Sequence, residues 1–175
     1  MNVLAIYQRE LRSYFDGALA YLVLPIFLGL VGVFSLFFQD ILEMGRLEMR
    51  VVFFWMAFFF LVLIPALTMK SFAEEKRTGS IEMLVTLPIK DEEIVLGKYL
   101  AALSVVFLAL FLSLTYPLSL SGLGDLDWGP VFGGYLGLFL LGAAFSAIGI
   151  AMSALSNSQV MAFLLSLTIG ILPFA

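Results

Sequence analysis

The side chains in this chain that could do chemistry are few and unevenly placed. Eleven charged residues fall within residues 70–98, KSFAEEKRTGSIEMLVTLPIKDEEIVLGK, of nine Lys and Arg and thirteen Asp and Glu in all. Histidine and cysteine are both absent. That removes disulfides, thiolate chemistry, Ser-His and Cys-His catalysis and the usual zinc sites. An intramembrane enzyme would need His, paired Asp or metal ligands among apolar helices, and the sequence supplies none. A phosphate-cradling loop needs G-x-x-x-x-G-K-[ST], whose backbone amides hold the anion. The Gly-Lys pair here is Gly97-Lys98, with Tyr99 in the hydroxyl position and Glu92 where the first glycine belongs.

What must position these residues is a very apolar chain. Of 175 residues, 62% are apolar and 13% charged, with a mean hydropathy of +1.09. A soluble domain carries roughly 25% charged residues, so the composition points to a membrane protein. Residues 18–38, 51–69, 99–120 and 131–153 each qualify as a span of about 20 apolar residues. A fifth span begins at 160 and runs to 175. None of the five carries Asp, Glu, Lys or Arg. The first exceeds a signal-peptide core and has no convincing cleavage site behind it, so it is read as a retained span.

The connections alternate sides of the bilayer. Arg9, Arg12, Lys70, Lys76, Arg77, Lys90 and Lys98 lie on one side, against Arg46 and Arg50 on the other. Basic residues favour the cytoplasmic face, so the N-terminus and the 70–98 loop are expected inside. The net charge of −4 is averaged over both faces and says little about partners. There is no basic tract or nucleic-acid motif, so nucleic acid is excluded as a partner and the lipid bilayer is the expected surrounding.

The first segment, MNVLAIYQRELRSYF, sets Val3, Tyr7, Leu11 and Tyr14 near helical spacing, with Arg9 and Arg12 mostly elsewhere. This predicts an amphipathic elbow helix over residues 3–15 lying in the interface. In the charged loop, residues 70–77 extend the preceding span, with Pro65 bending it one turn earlier. Gly79 suits a left-handed helix end, and Ser80 suits an N-cap. Ile81, Leu84 and Val85 then share one narrow apolar face on a helix that Pro88 closes. A helix so short is not stable alone. Its apolar face needs a partner, whether lipid, its own bundle or a cytosolic protein. Asp91 is the expected cap of the next helix, which runs through Gly97 and Lys98 into the third span.

Glu75, Gly79, Ser80, Glu82, Leu84 and Pro88, followed by Glu93, Gly97 and Lys98, resemble the cytoplasmic loop of type-2 ABC transporter permeases, with the gliding-motility-associated subgroup nearest in character. The family pattern is roughly E-x-x-x-G-T-x-E-x-L-x-x-x-P, then E-x-x-x-G-K. Ser80 replaces the usual Thr and keeps a capping hydroxyl. The motif covers about 25 residues; the elbow and the first four spans agree with the family over the rest of the chain. The resemblance implies an all-α polytopic bundle with six spans, so the chain is expected to be C-terminally incomplete. It implies that residues 80–87, Glu82 among them, are a coupling helix seated on a nucleotide-binding ATPase subunit, with Glu75 ahead of it. Elbow residues Tyr7, Leu11 and Arg12 would match the family's elbow. ATP and Mg would bind the partner subunit, no cofactor would bind this chain, and a second permease half, identical or not, would complete the path. The expected location is a bacterial plasma (cell inner) membrane and the expected direction is export.

The spans themselves support an external energy source, since ion-coupled transporters usually place ionisable relays inside the membrane. The competing reading is a membrane scaffold that tethers a cytosolic ATPase or motility complex without transport. Two further sets remain. Ser113, Thr115, Tyr116 and Ser119, beside Pro117, either line a cavity or bond to carbonyls that the proline frees. Gly133 and Gly137 form a G-x-x-x-G that Ala143 and Ala147 continue, a stripe suited to close helix packing within the bundle or at a seam. The aromatic run of the second span reads as lipid-facing or packing.

Overall fold

Long uncharged apolar runs satisfy their own backbone hydrogen bonds in lipid by forming helix. A computed structural model describes residues 2–17, 19–37, 49–79, 90–122 and 126–172. Its elements are α1 (Asn2–Asp16), α2 (Leu19–Phe37), α3 (Arg50–Thr68), α4 (Lys70–Thr78), α5 (Asp91–Ser113), α6 (Thr115–Ser121), α7 (Trp128–Leu155) and α8 (Gln159–Ile171). Among the described residues there is no strand, and the fold is all-α as composition predicts. α3 with α4, α5 with α6, and α7 are each long and apolar enough to cross a membrane. α1 turns through 69° into α2, a bent pair that makes a fourth crossing if counted as one span. α8 is a shorter apolar helix of 13 residues. The chain is a multi-pass membrane protein.

α3 is the central helix, packing against α2, α5, α7 and α8. Its Val52, Met56, Phe60, Ile64 and Leu67 recur every three or four residues and are all buried. This is the stripe that helical period demands. Phe54, Phe58 and Val62 point the other way and are exposed, the face left for lipid. The aromatic run therefore divides. Phe60 stacks on Phe27 of α2 at 5.4 Å, while Phe34 meets Trp55 at 4.7 Å and Phe59 at 5.3 Å.

α7 packs against α3 and α5 through glycines other than those expected. Built onto Gly134, a Cβ would lie 2.2 Å from Phe53; on Gly142, 2.7 Å from Val106; on Gly149, 2.1 Å from Thr68 Oγ1. Gly133 and Gly137 meet no other part of the described chain and are exposed, as is Ala147. The physical reason is the 100° step per residue: the positions adjoining a G-x-x-x-G lie on a different face. Ala143 is half-buried and its carbonyl accepts from Tyr99 Oη at 3.3 Å.

The hydroxyls near Pro117 are engaged with backbone. Pro117 has no N–H for the carbonyl four residues back, that of Ser113. Tyr135 Oη on α7 donates to that carbonyl at 3.0 Å. Ser113 Oγ donates to Leu110 O at 2.7 Å, Thr115 Oγ1 to Leu112 O at 3.1 Å and Ser119 Oγ to Thr115 O at 2.7 Å. Tyr116 Oη donates to Leu28 O of α2. Ser113 is buried, Thr115 and Ser119 are exposed, and Tyr116 is wedged beside Gly32. All four hydroxyls donate to backbone carbonyls, but the carbonyl that Pro117 frees is taken by Tyr135 and by none of them. The third span is also interrupted at Leu114, a break the sequence reading did not anticipate.

Candidate functional site: an ionic junction at the base of the 70–98 loop

Two arms flank the loop. α4 carries Glu75 and ends at Gly79, whose φ of +72° places it in the left-handed region and whose amide donates to Lys76 O at 3.3 Å. α5 starts at Asp91. Its N-cap is Lys90 rather than Asp91: the Lys90 amide donates to Glu93 Oε2 at 3.3 Å and its carbonyl accepts from Glu93 N at 2.9 Å. Asp91, Glu92 and Glu93 form the first turn, where the positive helix end favours carboxylates. Ser80, Ile81, Glu82, Leu84, Val85 and Pro88 lie outside the described residues.

The arms are joined to each other and to α1 by one buried lysine. Lys98, two turns into α5, is 1% exposed. Its Nζ donates to Glu75 Oε1 of α4 at 2.9 Å, to Glu10 Oε1 of α1 at 3.0 Å and to Ser71 O of α4 at 2.6 Å. An ammonium has three donors, and all three are used. The Phe72 ring sits 4.9 Å from the same nitrogen, a cation–π contact. Arg9 closes the set from the solvent side, donating to Glu10 Oε1 at 2.9 Å and Glu75 Oε1 at 3.0 Å. Two cations and two carboxylates balance, which is the condition for holding charge away from water.

α1 reaches this position because α5 lets it. Gly97 precedes the lysine, and a Cβ there would lie 2.7 Å from Ile6 Cγ2 and 2.8 Å from Ile6 Cβ. Tyr7 Oη donates to Ser104 Oγ at 3.1 Å, since the Ser104 proton goes to Leu100 O at 2.9 Å. Leu11 packs against the core, whereas Arg12 is exposed. The elbow thus lies on α5 rather than only in lipid. Tyr14 is buried beside α4, and burial, with the Glu10 charge adding to it, pushes its phenol up to about 12. Burial lowers the Arg9 pKa, but Glu10 and Glu75 outweigh this and leave it above its ordinary value. A polar cavity of about 460 Å³ adjoins the junction, bounded by α1, α4 and Lys98.

The arrangement joins helices and holds no reactive pair. Gly97-Lys98 lies inside a helix, glycine against Ile6 and lysine in an ion cluster, so it is no phosphate loop. Among the described residues no three His, Cys, Asp or Glu side chains are gathered to hold a metal. Sequence reading found Glu75, Gly97 and Lys98 as motif positions but missed Glu10, Ile6 and Ser71. A signal was present for Lys98: it shares a helical face with Ile94, Ala101, Ala102 and Val105, all buried.

Comparison with known proteins gives one family match. No curated protein and no solved structure matches the chain. Residues 7–174 match the family described as ABC-2 family transporter protein. That match spans nearly the whole chain, from the elbow through the ionic junction to the last helix, and the chain belongs to the ABC-2 transporter family.

Proposed function

We propose that this chain is the membrane permease subunit of an ATP-driven exporter, powered by a separate ABC ATPase that grips the 70–98 loop. The observation that carries the reading is that Lys98 of α5 bonds to both α1 and α4, joining three helices. A push on the loop between α4 and α5 reaches a bonded unit of three helices, two of which continue into the membrane. In this reading Ile81, Leu84 and Val85 are the apolar residues that meet the ATPase, with Glu75, Gly79, Ser80, Glu82 and Pro88 around them in the sequence. ATP and Mg belong to the ATPase, and a second permease half, identical or not, completes the path in a bacterial plasma membrane.

The test is co-purification with the candidate ABC ATPase, followed by ATPase assay of the complex in lipid. Wild type retains the ATPase and raises its rate. Glu82→Arg and Leu84→Arg lose both. If either variant keeps binding and stimulation intact, docking through this loop is wrong. ATPase binding with no stimulation by wild type would favour the scaffold reading.

A further inference from the structure

The arm α4 is held from a second side, by a hydroxyl outside the ionic junction. α3 ends at Thr68 and α4 begins at Lys70, with Met69 between them. The first amides of any helix lack partners within it and call for a cap. Met69 occupies the N-cap position of α4 and has no side-chain oxygen to offer. Ser153, in the last turn of α7, takes that role from another helix. Its Oγ accepts from Phe72 N at 3.0 Å and Ala73 N at 3.2 Å, and donates to Met69 O at 3.0 Å. One buried hydroxyl therefore bonds the residue at the break and the first turn of α4. One turn earlier on α7, Gly149 admits Thr68, the last residue of α3, where a Cβ would lie 2.1 Å from Thr68 Oγ1. Lys76 Nζ of α4 also donates to Ala154 O, beside the serine. The residue just before the two capped amides, Ser71, has its carbonyl taken by Lys98 Nζ.

We infer that Ser153 is a positioning residue: it sets the pivot at Met69 from which α4 projects, and so ties the angle of the coupling arm to α7. The role of α4 as a coupling arm rests on the function proposed above; the pivot itself does not. Ser153 acts through α4, whose direction decides where Glu75 and the loop beyond Gly79 stand. Without the hydroxyl, two amides and one carbonyl lose a common partner and the arm is free to change direction at Met69.

The chain has no native cysteine, so spin labels can be placed on exposed Arg77 and Leu155. The matched variants are Ser153→Thr and Ser153→Val, alike in shape and differing in the hydroxyl. Thr68→Val serves as control; it removes a buried hydroxyl in the same helix contact, one bonded to Ile64 O at 2.9 Å within α3 itself. In the full chain in lipid, Ser153→Val is expected to broaden the 77–155 distance distribution, while Ser153→Thr and Thr68→Val keep it as in wild type. In the complex with the ATPase, Ser153→Val is expected to cut stimulation about tenfold, the scale of a lost helix cap, with ATPase binding retained. An unchanged distribution in Ser153→Val, or equal broadening in Thr68→Val, overturns the pivot. Failure of the ATPase to bind wild type would instead strike the proposed function and leave the distance measurement standing.

Discussion

Lys98 shows how burial, more than contact distance, ranks the members of a charge cluster. Lys98 and Arg9 share the same two carboxylate oxygens at nearly the same distances, 2.9–3.0 Å. The lysine side chain is 1% exposed and the arginine 52%. Removing one partner of a buried pair strands the other charge and costs about 3–5 kcal/mol, whereas an exposed pair is worth about 0–1 kcal/mol. Lys98→Met is therefore expected to lower the unfolding midpoint in detergent far more than Arg9→Ala, with Glu75→Gln recovering part of the loss in the double variant. Tyr14 makes a second residue-scale prediction. Its folded pKa of about 12 exceeds the ordinary 10. Below pH 10 the phenol is protonated in both states and adds no pH dependence. Above it the unfolded state ionises first, so stability falls as pH rises from about 10 to about 12. Absorbance titration should show a late phenol that is lost in Tyr14→Phe, whose stability should fall less over that window.

At the scale of elements, Gly97 decides whether α1 can lie on α5. A methyl there meets Ile6 at Cβ as well as Cγ2, and Tyr7 N at 3.3 Å, so the elbow must shift bodily. Gly97→Leu is expected to cost about 1–3 kcal/mol by overpacking and to expose a cysteine placed at position 6 to a soluble thiol reagent. Protection equal to that in the parent would show that the close approach is dispensable. Helix existence was legible from long uncharged runs, because in lipid an apolar run has no other stable form. Gly79 as a helix end was legible too, since few residues tolerate a positive φ. Faces were harder. The G-x-x-x-G at Gly133 and Gly137 drew attention, yet Gly134, Gly142 and Gly149 make the contacts, because the contact face depends on neighbours that local sequence does not contain. The break at Leu114 and the capping of α4 by Ser153 depend on tertiary partners in the same way. Lys98 was legible as a basic residue and a motif position, but its ties to Glu10 and Glu75 cross 88 and 23 positions of sequence.

For the molecule as a whole, family membership and an all-helical multi-pass fold agree with a chain that spans the membrane but carries no phosphate loop of its own. Its ionisable groups gather where α1, α4 and α5 meet, the end that the basic-residue bias assigns to the cytoplasm. The outer faces of α3 and α7, with Phe54, Phe58, Phe132 and Leu136, are apolar and exposed. The central claim is that an ATPase engages this chain at the 70–98 loop and that α4 and α5 carry the load. Hydrogen exchange on the permease in lipid, with and without the ABC ATPase, tests it most directly. The account predicts new protection at residues 80–89 and along α4 when the ATPase binds, deepened by a non-hydrolysable ATP analogue. A stable complex that leaves residues 70–98 exchanging as in the free permease would contradict it.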